Sequence, residues 1–200
     1  MNGALVSIIG PPAAGKTTLA ENLCNLLPAN LAREDYVNNP FLADSYVGSD
    51  AARLPAQLYF LVSRVSQLSH AKADGGILVS DYGWAQDLIF ARLRLSCDDY
   101  RFYEPIAMRM AGLVRAPDVL VHLEADNSTL LNRLVMRGRD FERSMDESFL
   151  CSMRASYAKV AAEAKCPVIS VDSTKLDLRR PTACSEIVQR IRAALPQKTG

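Results

Sequence analysis

Leu5-Val6-Ser7-Ile8-Ile9-Gly10-Pro11-Pro12-Ala13-Ala14-Gly15-Lys16-Thr17-Thr18 is an apolar, β-branched run that enters a glycine-bounded loop and leads into a helical pattern from Leu19 to Leu27. Strand, loop and helix in that order aim several backbone N–H groups and the positive helix end into one concavity, where polyphosphate charge is stabilised. Gly10 and Gly15 admit backbone that a side chain would obstruct. Lys16 has the reach for β and γ phosphates, and the Thr17 hydroxyl suits magnesium. This is the spacing of a P-loop, so ATP contacts are expected from Gly10, Pro11, Pro12, Ala13, Ala14, Gly15, Lys16, Thr17 and Thr18.

Around that loop, 200 residues with 49% hydrophobic and 22% charged composition suffice for one core without metal or disulfide support. We expect a single domain over residues 1–195 and a polar tail over 196–200. A net charge of +1 supplies no field to recruit nucleic acid or an anionic membrane. Leu5–Ile9 is of strand length and no run approaches the roughly 18 apolar residues that span a bilayer, so a cytoplasmic protein is expected. Cys24, Cys97, Cys151, Cys166 and Cys184 are odd in number and never form CxxC, which argues against zinc and disulfides and for buried small hydrophobes.

Further β-branched runs at Ile77–Ser80, Asp118–Leu123 and Val168–Val171, with a weaker one at Leu31–Arg33, alternate with helical patterns. Helices are expected at Ala51–Lys72, Ala85–Leu95, Tyr100–Leu113, Ser128–Met136, Glu147–Ala164 and Thr182–Leu195. The reading is α/β: a five-stranded parallel sheet with helices on both faces, the P-loop NTP hydrolase fold. In such sheets ligands sit beyond the carboxyl ends of the strands. The residues there are the P-loop, Glu34-Asp35, Asp81 and Glu124-Ala125-Asp126.

Asp81 ends the third apolar run, where its carboxylate could hold magnesium opposite Thr17. Glu34 could orient an acceptor hydroxyl in line with the γ-phosphate and take its proton. Arg133 and Arg137, four apart, share a helix face, and Gly138 then breaks the helix so that Arg139 enters a loop able to close over phosphates. Guanidinium groups suit the spread charge of a transferring phosphoryl, and we assign this cluster to an arginine-rich lid, with Arg133 on ATP. His70 and His122 are isolated and read as packing residues, as do Trp84 and Phe90.

Glu34-Asp35-Tyr36-Val37-Asn38-Asn39-Pro40-Phe41-Leu42, Tyr46, Gln57 to Arg64, Ser80-Asp81, Ala116-Pro117-Asp118 and Arg137-Gly138-Arg139 with Glu142 resemble the deoxyribonucleoside kinases, especially the bacterial deoxyadenosine and deoxyguanosine kinases. The likeness runs from about Leu5 to Tyr157. It implies ATP-dependent transfer to the 5′-hydroxyl of a deoxynucleoside in nucleotide salvage, with Mg²⁺. By resemblance Glu34 is the base, Tyr46 and Glu142 bind the sugar 3′-hydroxyl, Gln57 reads the base edge, and Phe60 is a wall. Arg64 and Asp87 match an ion pair that flanks the base, which favours a purine deoxynucleoside or deoxycytidine over thymidine. Asn39 lies where several relatives carry an aromatic.

The resemblance also implies a homodimer, with helices Ala51–Lys72 and Ala85–Leu95 pairing between subunits. It breaks at one point: Asp81 is followed by Tyr82, where the family usually has an arginine for the 5′-oxygen. Arg64 or another arginine compensates, catalysis is weak, or the acceptor differs.

Three other readings stand beside it. A nucleoside monophosphate kinase shares the loop and lid, yet needs cations where Glu34 stands. A GTPase is prompted by Thr174-Lys175-Leu176-Asp177 but lacks a DxxG segment. A binding protein without catalysis is prompted by Tyr82.

Overall fold

The computed structural model describes residues 3–69, 76–142 and 144–195. Five strands form one parallel sheet in the order β2-β3-β1-β4-β5: β1 Ala4–Ile9, β2 Ala29–Ala32, β3 Ile77–Ser80, β4 Val119–Glu124 and β5 Val168–Asp172. The helices are α1 Lys16–Leu26, α2 Leu42–Val47, α3 Arg53–Ser69, α4 Gln86–Arg94, α5 Cys97–Ala111, α6 Asn127–Arg137, α7 Glu147–Ala162 and α8 Pro181–Ala194. Short 3-10 turns sit at Asp50–Ala52 and Asp140–Glu142.

β1 is the pivot. It pairs with β3 on one side and β4 on the other, so the chain reverses its direction of travel across the sheet at the carboxyl end of β1. That reversal opens a crevice, and the P-loop leaves β1 into it. The strand can be central because its side chains are apolar on both faces. Val6 and Ile8 enter a cluster with Leu19 and Leu23 of α1 and Ile187 and Ile191 of α8. Leu5 meets Leu68 of α3, and Ile9 meets Ile89 of α4 with Met153 and Tyr157 of α7. α5 forms an outer layer through Tyr103 and Ala107, packed on Leu61 of α3 and Ala91 of α4.

Side-chain caps set several helix starts: Ser96 accepts from Asp99 N at 3.1 Å, Asp126 from Thr129 N at 2.6 Å, and Asp146 from Phe149 N at 2.7 Å. Gly138 closes α6 in the left-handed conformation (φ 64°), as its position predicts.

Several expectations shift. β2 occupies Ala29–Ala32, earlier than Leu31–Arg33, because its register is fixed by pairing Ala29 to Ile77 and Ala32 to Ser80. α2, Leu42–Val47, falls between the expected strand at Leu31–Arg33 and the expected helix from Ala51, where the sequence pattern assigns no element. α3 begins at Arg53 after the 3-10 turn, and its expected end at Lys72, together with His70 and the tail from Pro196, lies outside the described residues. The cysteines are not uniformly buried: Cys184 is, Cys24 and Cys166 are half-buried, and Cys97 and Cys151 are exposed on helix surfaces. His122 is buried within β4, its Nδ1 3.2 Å from Glu124 Oε1, and burial lowers its basicity.

At the crevice, Gly10 has φ 148°, and a Cβ there would stand 2.5 Å from the Leu123 carbonyl oxygen of β4. Gly10→Ala therefore forces backbone apart at the centre of the sheet. It should cost roughly 2 kcal/mol or more, about 5 °C in Tm by thermal unfolding. An unchanged Tm would show that β1 and β4 can separate there without penalty.

Candidate active site

A cleft of about 590 Å³ opens beyond the carboxyl ends of β1, β2 and β3. Its phosphate end is built by the P-loop. Gly15 (φ 99°) and Ala13 (φ 61°) are left-handed, which turns successive N–H groups inward ahead of α1. Lys16 Nζ donates to the Gly10 and Pro11 carbonyls at 2.7 and 2.9 Å. Burial pulls its pKa down to about 8, against the opposing pull of Glu34 and Asp81.

Asp81 follows β3 beside the end of β2 and ties the two together. Its Oδ2 accepts the Thr17 hydroxyl at 2.7 Å and its Oδ1 accepts the Glu34 N–H at 2.8 Å. Burial raises its pKa, opposed by those hydrogen bonds. One carboxylate thus fixes both the metal-binding candidate Thr17 and the backbone of Glu34. Thr17 and Asp81 present hard oxygens at the lip of the phosphate cradle, a donor set that fits magnesium completed by phosphate and water oxygens.

The Glu34 carboxylate turns into the cleft. Arg64 Nη2 and Gln86 Nε2 both donate to its Oε1, the latter at 2.6 Å. Arg64 Nη1 reaches Asp87 Oδ1 at 2.5 Å, so one guanidinium, 3% exposed, joins two carboxylates. Burial disfavours its charge, but Asp87 and Glu34 outweigh that and raise its pKa. Tyr103 donates to Asp87 Oδ1 at 3.1 Å, while Asp87 Oδ2 is buried without a partner among the described residues. Gln57 Nε2 donates to the Asp87 carbonyl at 3.0 Å.

On the opposite wall, Tyr46 is held between the Arg94 guanidinium, 3.4 Å from its ring centroid, and Phe141 at 5.5 Å. Burial pushes its phenol up to about 12. Arg137 pairs with both oxygens of Glu142, and Arg139 donates to the Tyr36 hydroxyl at 2.7 Å. Arg133 is spoken for: it donates to the Ser173 carbonyl at 2.6 Å and the Ala13 carbonyl at 3.5 Å, bracing the P-loop against the loop after β5.

Of the residues singled out from sequence, Pro12, Ala13, Gly15, Lys16, Thr17, Thr18, Glu34, Tyr46, Gln57, Phe60, Arg64, Asp81, Arg133, Arg137, Arg139 and Glu142 line this cleft. Gly10, Pro11 and Ala14 belong to the loop but not to the cleft wall, and Asp87 lies behind Arg64, fully buried. Glu124 and Asp126 stand elsewhere: Asp126 caps α6, and Glu124 faces His122. Phe90, expected to be core, lines the cleft while still packing on Phe149. Asn39 is a buried brace, donating to the Ala56 carbonyl at 3.0 Å.

Sequence reasoning missed Tyr36, Gln86 and Arg94. Tyr36 lies two residues from Glu34, the spacing that shares a face in extended chain, and this was the available signal. Thr174 to Asp177, weighed only as a guanine-reading pattern, line the end of the cleft next to α1 with Leu178 and Arg179.

The family model for deoxynucleoside kinases matches residues 6–195. Deoxyadenosine/deoxycytidine kinase of Bacillus subtilis (strain 168) is 29% identical over 184 residues, 88% of this chain and 85% of that protein. Deoxyguanosine kinase of the same organism is 29% identical over 187 residues, covering 88% and 90%. Among solved structures, deoxyadenosine kinase from M. mycoides with bound dATP superposes with a TM-score of 0.80 at 22% identity, over 94% of this chain and 99% of that one.

Lys16 gives the pH prediction. With the empty cleft holding its pKa near 8, polyphosphate must restore the missing proton on binding. At pH 8.5 calorimetry in buffers of different ionisation enthalpy should register uptake of roughly three-quarters of a proton per ADP, and affinity should fall as pH rises above 8. Lys16→Met should remove the uptake. Proton-neutral binding by the wild-type chain would mean that Lys16 is already charged in the empty cleft.

Proposed function

The chain belongs to the deoxynucleoside kinase family, and we propose that Glu34 is the base that takes the proton of the deoxynucleoside 5′-hydroxyl as the γ-phosphate of ATP is transferred to it. The reaction is that of an ATP-dependent phosphotransferase. The observation that carries the assignment of Glu34 is its carboxylate, inside the cleft and tied through its own N–H to the Asp81 that holds Thr17. A carboxylate tolerates a neutral alcohol and repels a phosphate, which supports an alcohol acceptor over a nucleoside monophosphate.

The chain's groups divide the work. Lys16 and the loop N–H groups take charge developing on the β and γ phosphates. Arg137 and Arg139 enter from the lid side, where Arg137 already pairs with Glu142. Thr17 and Asp81 would hold Mg²⁺, which when bound neutralises phosphate oxygens. Tyr46 and Glu142 take the sugar 3′-hydroxyl. Phe60, with its ring under Arg64 at 5.1 Å, walls the base.

For the base we favour a purine deoxynucleoside or deoxycytidine. Gln57, which lines the cleft, spends its N–H on a backbone carbonyl and so is left with its amide oxygen as an acceptor, while Asp87 acts from behind by holding Arg64. That acceptor suits an exocyclic amino group, which adenine, guanine and cytosine carry and thymine lacks. The substrates in the names of the relatives, deoxyadenosine, deoxycytidine and deoxyguanosine, agree with this.

A homodimer is also proposed, but through α3 and α5. Within α4 every residue except Arg92 is at least half-buried by its own chain, whereas Val62, Phe102 and Met108 leave apolar surface on α3 and α5. Near-neutral charge supports small-molecule partners and no nucleic acid, and scattered unpaired thiols support a cytoplasmic setting. No helix of the described residues is long and apolar enough to cross a membrane.

Two measurements test this reading. Glu34→Gln should lower kcat roughly 100-fold or more while deoxynucleoside affinity stays within a few-fold, and full turnover would remove Glu34 from the mechanism. Replacing Arg64 and Asp87 together by Met and Ala should move the ratio of kcat/KM for deoxyadenosine to that for thymidine at least about tenfold toward thymidine. A constant ratio would refute the base assignment, whatever happens to the overall rate.

A further inference from the structure

Gln86 opens α4 on the far side of the turn that follows β3, its N–H on the Gly83 carbonyl at 3.1 Å. Its side chain is 3% exposed, yet it is neither apolar nor fully satisfied. The amide Nε2 lies 2.6 Å from Glu34 Oε1, and the amide oxygen is buried with no partner among the described residues. Chemistry fixes which way the amide faces. An ionised carboxylate only accepts, so the NH₂ must point to Glu34 and the carbonyl is left over. Methionine would fill the same space without an orphaned acceptor, so packing does not explain a glutamine here.

Glu34 supplies the explanation. The terminal torsion of a glutamate is broad, so a carboxylate held at one point swings and exchanges its oxygens. Here Arg64 Nη2 and Gln86 Nε2 converge on Oε1 from two different helices, and among the described residues no donor falls on Oε2. Arg64 cannot be the sole anchor, because its other nitrogen is committed to Asp87 at the base end of the cleft. Gln86 makes no such second commitment.

We propose that Gln86 is a positioning residue for phosphoryl transfer: with Arg64 it pins Glu34 Oε1 and leaves Oε2 as the oxygen that meets the acceptor hydroxyl. In that step the hydroxyl oxygen bonds to the γ-phosphorus, its proton passes to Oε2, and the bond to the bridging oxygen breaks with its electron pair leaving on ADP. The inference rests on Glu34 being the base, as proposed above.

The test is steady-state kinetics of Gln86→Met, Gln86→Glu and Glu34→Gln, and of Gln86→Met in the Glu34→Gln background, with deoxyadenosine and Mg-ATP. Gln86→Met should lower kcat about 10- to 50-fold with KM for deoxyadenosine within threefold. Its Tm should stay within a few degrees, since the orphaned acceptor and the hydrogen bond to Glu34 are removed together. Gln86→Glu, which sets an acceptor against an acceptor, should be slower still. In the Glu34→Gln background, Gln86→Met should cost less than twofold, because the carboxylate it positions is gone. A wild-type kcat in Gln86→Met, or the same fold loss in both backgrounds, overturns the positioning role while leaving Glu34 in place. Full turnover by Glu34→Gln alone is the separate result that removes the base itself.

Discussion

A single buried guanidinium organises the half of the cleft that lies away from the P-loop. Arg64 is charged, 3% exposed, and shared between Glu34 on the segment after β2 and Asp87 on α4. Two carboxylates and one cation leave a net negative charge in a poorly solvated place, an arrangement that persists only because each oxygen in use has a donor and each donor is fixed. Phe60 and Tyr82 flank the guanidinium at 5.1 and 5.6 Å, keeping water from its faces. Removing the cation would leave two like charges facing each other across the cleft floor, a loss of the 3 to 5 kcal/mol order that broken buried pairs cost.

This pairing also answers the break in the resemblance after β3. Tyr82 does not present a weaker substitute to the substrate. Its side chain is fully buried, turned into the layer of Leu5 and Leu68, and its hydroxyl donates to Gln67 Oε1 at 2.8 Å. The positive charge next to Glu34 comes from α3 instead, where the helix brings Arg64 and Gln57 to the same side seven residues apart. A reading of the chain as a catalytically silent binder rested on Tyr82, and it loses that support once Arg64 is seen on Glu34.

The parts legible in the sequence were those that local chemistry dictates. The strand, loop and helix of the P-loop are adjacent in the chain, and the buried strands announce themselves as β-branched runs. β2 was harder because a four-residue edge strand takes its limits from its partner, Ile77 to Ser80, rather than from its own pattern. α2 has six residues, too few for a period to show, and depends on tertiary contact with α3 and the turn before Glu142. Charged residues at strand ends signal a cleft only when the fold brings them to it. Asp81 and Glu34 do converge, whereas Asp126 is consumed by the first turn of α6. Gln86 and Arg94 carried no signal, since their roles arise from contacts across 52 and 49 residues of chain.

What remains is why the two ends of the cleft are built with opposite sign. At the P-loop, N–H groups, Lys16 and the arginines around the end of α6 concentrate positive character, and burial lowers the pKa of Lys16. At the other end the cluster around Glu34 holds two carboxylates, Glu34 and Asp87, against the one guanidinium of Arg64, while Arg94 stands apart on the Tyr46 ring. A polyphosphate is stabilised only at the first, and a second phosphate placed against Glu34 would meet repulsion in a low dielectric. An uncharged nucleoside avoids that cost and, in the role proposed for Glu34, supplies its hydroxyl where the two ends meet. Asp81 stands at this junction, one oxygen on Thr17 and the other on the Glu34 backbone, so the distance between Glu34 and the P-loop is set by one side chain rather than by a flexible loop.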